Sequence, residues 1–292
     1  IIMCKYQFGL PLYRQETLFS DIGIELSRQT MSSWMLRCAE LLSPLYQRLK
    51  EILLSQAVIH GDETSLNVIN ADKATSYMWL YCCGDDKPGK GTNIVLFDYH
   101  NSRAGQCAVD FLDGYKGYMH VDGYKAYEQT NATLVACLAH IRRKFIEAKG
   151  NNKKTVKADV ALNLIRKLYG IEQAIKGKLA DEKFTVRQQK AKPISYAINQ
   201  FDKFRRYLDD GRLSIDNNRA ERAIKPFVIG RKNWLFSNTC NGAHASAILY
   251  SLVETAKAND LVVHDYISMC LQHIAEQPSN LEPLLPWNIK QG

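Results

Sequence analysis

Ala57-Val58-Ile59-His60-Gly61-Asp62-Glu63-Thr64-Ser65-Leu66-Asn67-Val68 is where the texture of the chain changes from helical spacing to β-branched alternation. It reads as a strand, and Tyr77 to Cys83 and Asn93 to Tyr99 read as two more, separated by turns rich in Asp, Lys and Gly. Three neighbouring strands joined this way predict an antiparallel meander. Asp62 falls among apolar neighbours in the first strand, where a carboxylate is costly unless it binds something.

Downstream, Arg103 to Leu112 reads as a helix with Ala104, Cys107, Ala108 and Phe111 on one face. A short strand, Gly117 to Val121, then ends at Asp122-Gly123, Thr133 to Cys137 forms a fifth strand, and Leu138 to Ala148 forms a helix. From 149 to 211 the chain is polar, basic and helix-prone, with Leu162, Ile165, Leu168, Tyr169 and Ile171 as one apolar stripe. Asp216-Asn217-Asn218 is an N-cap cluster opening a short helix that contains Glu221 and is stopped or kinked at Pro226. Gly230-Arg231-Lys232-Asn233-Trp234 reads as a basic turn, Ala243 to Lys257 and Asp265 to Ala275 as helices, and Pro283 to Gly292 as an extended tail.

Upstream, the first ~55 residues have helical apolar spacing. Leu12, Leu18 and Phe19 precede a turn at Asp21-Ile22-Gly23, and Ser27 is placed to cap a second helix that carries Met31, Trp34 and Met35 inward. Arg28, Gln29, Ser32 and Arg37 then point outward, where they suit phosphates or base edges if the helix enters a major groove. A plain helical hairpin with a solvated polar face fits the same pattern. Leu41 to Leu54 continues as an amphipathic helix after Pro44.

Composition narrows the class. With 292 residues, 46% apolar and 23% charged, the chain can bury a sizeable core without disulfides or structural metal. Thirty-eight Lys and Arg against 30 Asp and Glu give +8, which favours polyanionic partners. No apolar run reaches the ~20 residues of a membrane span, and the opening residues lack a signal peptide's order, so a cytosolic protein without a membrane partner is expected. Eight cysteines, at 4, 38, 82, 83, 107, 137, 240 and 270, form no Cys-x-x-Cys pair and read as reduced thiols. Cys137 and His140 offer two zinc ligands, but no matching second pair lies nearby.

Phosphoryl transfer between nucleic-acid strands needs acidic oxygens from distant chain positions to hold two divalent cations. Asp62 in the first strand and Asp122 at the end of the fourth project toward one spot if those strands pair in parallel, and Glu221 reaches it from a helix packed on the sheet. Each acid also has an ordinary reading: Asp122-Gly123 as a turn, Glu221 paired with Lys225, Asp62 as a strand-edge residue beside Glu63. His140 and Arg143, one helical turn apart, suit a single phosphate; a hydrogen-bonded helix-terminal His and an exposed Arg suit the same spacing. Arg142, Lys144, Arg222, Arg231 and Lys232 are available to phosphates or to solvent. Trp234 either stacks on an unpaired base or joins the core.

For the three acids, the ordered motifs add a further link. Leu10-Pro11-Leu12-Tyr13-Arg14-Gln15-Glu16, Asp62-Glu63-Thr64, His120-Val121-Asp122-Gly123-Tyr124, Cys137-Leu138-Ala139-His140-Ile141-Arg142-Arg143, Ile215-Asp216-Asn217-Asn218-Arg219-Ala220-Glu221-Arg222 and Gly230-Arg231-Lys232-Asn233-Trp234-Leu235-Phe236 together resemble the insertion-sequence-66 family of transposases. Tyr250 to Lys257 and Leu284-Leu285-Pro286-Trp287-Asn288 extend the resemblance. It implies an Asp-Asp-Glu transposase with an α/β, ribonuclease H-like mixed sheet flanked by helices. Asp62, Asp122 and Glu221 are then the catalytic, metal-holding acids for two Mg2+ (or Mn2+), with His140 and Arg143 beside them. The implied reaction is cleavage at transposon ends and strand transfer into target DNA, by a DNA-dependent homo-oligomer, with accessory proteins of the same element as possible partners.

The expected organisation is a helical, helix-turn-helix-like segment at 1–55, the first part of the core at 56–148, a helical insertion at 149–211, the rest of the core at 212–260, and a C-terminal helix and tail at 261–292. Two departures from the family pattern are expected to matter. The chain opens at the Leu-Pro-Leu-Tyr-Arg-Gln-Glu motif, so the cysteine-rich N-terminal region of longer relatives, and end-specific recognition with it, is expected to be missing. Between about Phe184 and Tyr196 the sequence is shorter than the family pattern.

Overall fold

The computed structural model describes residues 1–73, 75–85, 91–149, 156–197, 202–276 and 280–289. The helices, in chain order, are α1 Ile2–Tyr6, α2 Leu12–Asp21, α3 Arg28–Leu54, α4 Gly105–Phe111, α5 Leu138–Lys149, α6 Val156–Ala174, α7 Ala180–Val186, α8 Lys192–Ala197, α9 Asp202–Arg205, α10 Asn218–Trp234, α11 Cys240–Ala258 and α12 Val263–Ala275. The strands are β1 Val58–Leu66, β2 Ser76–Cys83, β3 Ile94–His100, β4 Tyr118–Val121 and β5 Thr133–Ala136. The protein is a mixed α/β chain that divides into two compact units, residues 1–107 with 219–292, and residues 108–218.

In the first unit β1, β2 and β3 form the expected antiparallel meander, in a register that sets Asp62 opposite Leu80 and Leu80 opposite Phe97. The nearly continuous burial of β2 and β3 reflects cover on both faces. Along β3, α11 takes the position of a further strand. Ser251 Oγ accepts from the Phe97 N–H (2.7 Å), Thr255 Oγ1 from the Val95 N–H (3.0 Å), and Asn259 Nδ2 donates to the Asn93 carbonyl (2.7 Å). Three polar residues spaced by four, two on the helix and the third its C-cap, thus satisfy the edge of the sheet.

α3 begins as expected, with Ser27 Oγ accepting from the Thr30 N–H at 3.1 Å. It runs through Pro44 without a break and buries Met31, Met35, Ala39, Leu42, Leu45, Tyr46, Leu49 and Leu53. Trp34 departs from expectation: it is 51% exposed. The buried row steps by four from Met31 to Met35 to Ala39, which rotates it away from position 34. Ala104 is likewise exposed, while Cys107, Ala108 and Phe111 are buried.

α10 corrects two further expectations. Of the two outcomes expected at Pro226, a stop is excluded, since the helix runs on to Trp234 and is not short, and the predicted basic turn at 230–234 is its last turn. Pro226 lacks the N–H of one helical hydrogen bond, and the position four residues before it, Arg222, is exposed. Gly230 serves close packing rather than a turn, since a Cβ there would lie 2.4 Å from the Tyr250 hydroxyl. The predicted extended tail instead folds into 3-10 turns at Glu282–Leu284 and Pro286–Asn288 that bury Leu284 and Leu285; residues 290–292 lie outside the described residues.

The second unit pairs β4 and β5 in parallel and adds α5 to α9. Ile165 and Leu168 of the predicted α6 stripe are buried. Its centre is Arg187, 2% exposed, in a π-helical turn at Arg187–Ala191. Arg187 makes a two-pronged ion pair with Glu172 (2.8 and 2.6 Å) and donates to the carbonyls of Tyr207, Asp210 and Leu213, each at 3.0 Å. No described helix is long and apolar enough to cross a membrane.

Candidate active site and nucleic-acid interface

Alternation along β1 separates the three residues of the Asp62-Glu63-Thr64 motif. Glu63 is buried on one face and receives two N–H groups of Arg103, whose guanidinium lies over the Tyr77 ring at 5.8 Å. Asp62 and Thr64 point to the other face. Thr64 Oγ1 accepts from Arg231 at 3.0 Å, and Arg231 also reaches the Ser65 carbonyl. Arg231 is therefore tied to the end of β1, and burial pushes its guanidinium below the usual Arg range.

The same face carries α10. Asp62, Leu80 and Phe97 are cross-strand neighbours, and the Phe97 ring meets Phe227 of α10 at 5.8 Å and Tyr250 of α11 at 5.6 Å. Along α10 the buried row is Ala220, Ala223, Ile224, Phe227 and Gly230. Glu221, half-buried in the first turn, flanks that row. Asp62 and Glu221 thus belong to one side of the first unit's sheet. Both offer hard oxygen donors, the chemistry that a divalent cation such as Mg2+ takes.

Asp122 follows β4 in the second unit. Its Oδ1 accepts from the Tyr124 N–H at 2.8 Å, and Gly123 supplies the positive φ of +99° that this turn requires. The turn and the carboxylate are compatible, because one oxygen closes the loop. Buried His120 accepts from the Ser214 N–H at 3.2 Å, Cys137 Sγ accepts from the Asn217 N–H at 3.1 Å, and Leu138 donates to the Ile215 carbonyl at 3.1 Å. These bonds hold the segment that leads into α10, which Asp216 caps through the Asn218 N–H at 3.1 Å. Burial pushes the Cys137 thiol up, so it serves here as a neutral acceptor.

In α5, His140 is half-buried while Arg142, Arg143 and Lys144 are exposed. Arg142 and Arg143 line a groove of about 910 Å³ together with Lys149 and Arg166. Asp159, the acid among its lining residues, pairs with Lys149 at 2.6 Å, leaving three guanidinium groups in excess. Arg166 had no motif to announce it. Its signal was the polar face of α6.

The expected DNA-reading residues of the first unit divide. Arg28 and Gln29 are exposed but also line a groove of about 650 Å³, whose opposite wall is Asn233 to Thr239. Trp234 is half-buried at this wall, with its ring edge-on to Phe227 at 5.5 Å. Lys232 and Arg222 are exposed. Leu235 closes α10 with φ +63°, a left-handed conformation costing a bulky residue about 1–2 kcal/mol, and it turns Phe236 outward, 45% exposed. Glu63 with Arg103, His120 and the Arg187 cluster were not anticipated, because ordinary-looking Arg, His and Glu carry no sequence mark of the partner that buries them.

Against known protein families, residues 1–198 and 191–245 match Transposase IS66 family, and residues 251–287 match IS66 C-terminal element. Among curated proteins, the uncharacterized protein y4qI of Sinorhizobium fredii is 32% identical over 333 aligned residues, covering 99% of this chain and 61% of its own length. Uncharacterized proteins y4jD and y4hP of the same organism are each 30% identical, with 65% and 61% of their lengths covered. The chain therefore spans about three-fifths of the relatives it matches. An alignment of 333 positions exceeds the 292 residues of this chain, so the relative carries internal residues that it lacks. No solved structure matches it. On the strength of ordered matches across nearly its whole length, the chain belongs to the IS66 family of transposases.

Proposed function

We propose that this chain is the catalytic portion of an Asp-Asp-Glu DNA transposase with a ribonuclease H-like core, in which Asp62, Asp122 and Glu221 hold two Mg2+ or Mn2+ ions. The observation that carries the reading is Asp62 and Glu221 on one side of the sheet within a chain of this family. Bound metal supplies charge neutralisation at the scissile phosphate and activation of the attacking oxygen. Asp62 contributes from a strand locked by its register, Asp122 from a turn fixed by its own Oδ1, and Glu221 from the first turn of a long helix. Arg143 and His140 neutralise and orient phosphate beside them, while Arg142, Lys144, Arg222, Arg231 and Lys232 bind DNA backbone. Arg28 and Gln29 read the DNA and Trp234 contacts an unpaired base. The partners are transposon-end and target DNA, joined by a DNA-dependent oligomer of this chain with accessory proteins of the same element, in the cytoplasm at the nucleoid.

Calorimetric titration with Mn2+ tests the reading, on the wild type and on Asp122→Asn, in the presence of an oligonucleotide. The wild type binds metal and the variant loses it. Equal binding by both, or by neither, refutes the three-acid site. With transposon-end DNA, strand joining identifies a transposase, cutting alone a nuclease, and metal-independent binding alone an inactive DNA-binding relic.

A further inference from the structure

The groove beneath α2 and α3 joins Arg28, Gln29 and Trp234 to further residues, Lys5, Tyr13 and Phe236, that the three-acid site does not use. Its polar and aromatic lining includes Lys5, Tyr13, Arg28, Gln29, Trp234 and Phe236, and none of its lining residues is acidic. Tyr13 is 48% and Phe236 45% exposed, so rings of the N-terminal helices and of the α10–α11 loop are open to a ligand. The walls are fastened to each other. Asn233 Nδ2 donates to the Gly9 carbonyl at 3.1 Å, Gly9, at φ +67°, has no Cβ where one would lie 2.8 Å from that amide, and Tyr6 shares a hydrogen bond with Ser246 at 3.2 Å.

Lys5 is half-buried in this lining and sits 5.5 Å from the Tyr6 ring. No carboxylate of the described residues offsets its burial, which pushes its ammonium down to about 8. An amine held in that state is stabilised by an incoming anion. Arg28 adds a second cation at the groove, while Gln29, Asn233 and Asn238 add amide donors and acceptors of the kind that meet base edges. A volume of about 650 Å³ lies within the ~300–1,000 Å³ range of small-ligand sites and is too small for a duplex.

We propose that this groove holds a single-stranded stretch of DNA, with a base stacked against Phe236 or Tyr13 and its phosphate at Lys5 and Arg28. The inference rests on the DNA-processing reading above and gives the first helices a role different from insertion into a major groove. Stacking tolerates any base, so the site selects strand state rather than sequence. Leu235, in its left-handed turn, aims Phe236 at the strand.

The test is fluorescence anisotropy of a labelled twelve-nucleotide oligo(dT) and of the corresponding duplex, on the full chain, in EDTA. Without metal, failure of the three-acid site leaves the readout untouched. The wild type prefers the single strand. Phe236→Ala weakens oligo(dT) binding about tenfold, in the range for losing one stacked base, and Phe236→Trp restores it. Lys5→Gln weakens binding and lowers the slope of log K against log salt by about 0.7, the single-strand value for one lost phosphate contact. Circular dichroism verifies that each variant is folded, as the exposure of Phe236 leads one to expect. No oligo(dT) binding by the wild type overturns the proposal. So do unchanged affinities in both variants, or equal losses for strand and duplex.

Discussion

Replacing Arg187 by Met removes the group around which the second unit is organised. All five guanidinium N–H groups are engaged: two with Glu172, the others with the carbonyls of Tyr207, Asp210 and Leu213. The plane also lies over the Tyr207 ring at 5.3 Å. Methionine keeps most of the volume but strands a carboxylate whose side chain is 16% exposed, along with three carbonyls. Breaking a buried pair from one side costs about 3–5 kcal/mol. The carbonyls bring this toward the upper end, at about 1 kcal/mol each where water cannot enter. Arg187→Lys, keeping the charge without the planar fork, falls between at about 2 kcal/mol. Native-state hydrogen exchange of amides in α6 and around 207–213 reads the change directly, because a loss of 3–5 kcal/mol lowers protection by about two to three and a half powers of ten. Amides of α11 in the other unit are the internal reference. A loss below about 1 kcal/mol for Arg187→Met, or equal losses in α6 and α11 with no local component, refutes the reasoning.

Other consequences are as specific. Thr255→Val leaves the Val95 N–H and carbonyl without their side-chain partner and costs about 1–3 kcal/mol by urea denaturation, with more aggregation on refolding. Gly230→Ala, a change that ordinarily favours a helix, destabilises by about 1–3 kcal/mol, because the Tyr250 ring it meets is held by Tyr6, Phe97 and Phe227; a rise in melting temperature refutes this. Ser27→Ala costs about 1 kcal/mol through the lost cap of α3. Burial, opposed by Lys257, holds the Glu254 carboxyl above its ordinary value. Its contribution to stability is therefore full below the ordinary Glu pKa and declines as pH rises through the raised folded value. Glu254→Gln flattens that decline in denaturation measured from pH 4 upward, and an unchanged slope counts against it.

The meander, the two C-terminal helices and the start of α3 were legible because period, turn chemistry and capping act over a few residues. The same local reasoning failed at Pro226 and Gly230, where signals for a stop and a turn are overruled by packing against Phe97 and Tyr250, more than a hundred residues away in one case. Trp34 was misread because helical spacing fixes a face only to within the width of its stripe. The candidate acids were found by motif, not by periodicity. Asp62 and Glu221 come to one side of a sheet through a register and a helix contact that no spacing rule encodes. Arg187 and Lys5 were invisible for the same reason: a basic residue in a basic segment carries no sign of whether a carboxylate or a groove awaits it.

The contact between α11 and β3 joins two rulers of different pitch. Four helical residues advance about 6.0 Å, whereas two strand residues advance about 6.8 Å. Ser251, Thr255 and Asn259 meet Phe97, Val95 and Asn93 before the mismatch accumulates; a fourth rung would be about 2.4 Å out of step, beyond what a short side chain spans. The length over which a helix can seal a strand is thus limited by arithmetic, and β3, at seven residues, is about as long as this device allows. While the seal holds, no second copy of the chain can extend the sheet at β3, so any association between copies must use other surfaces.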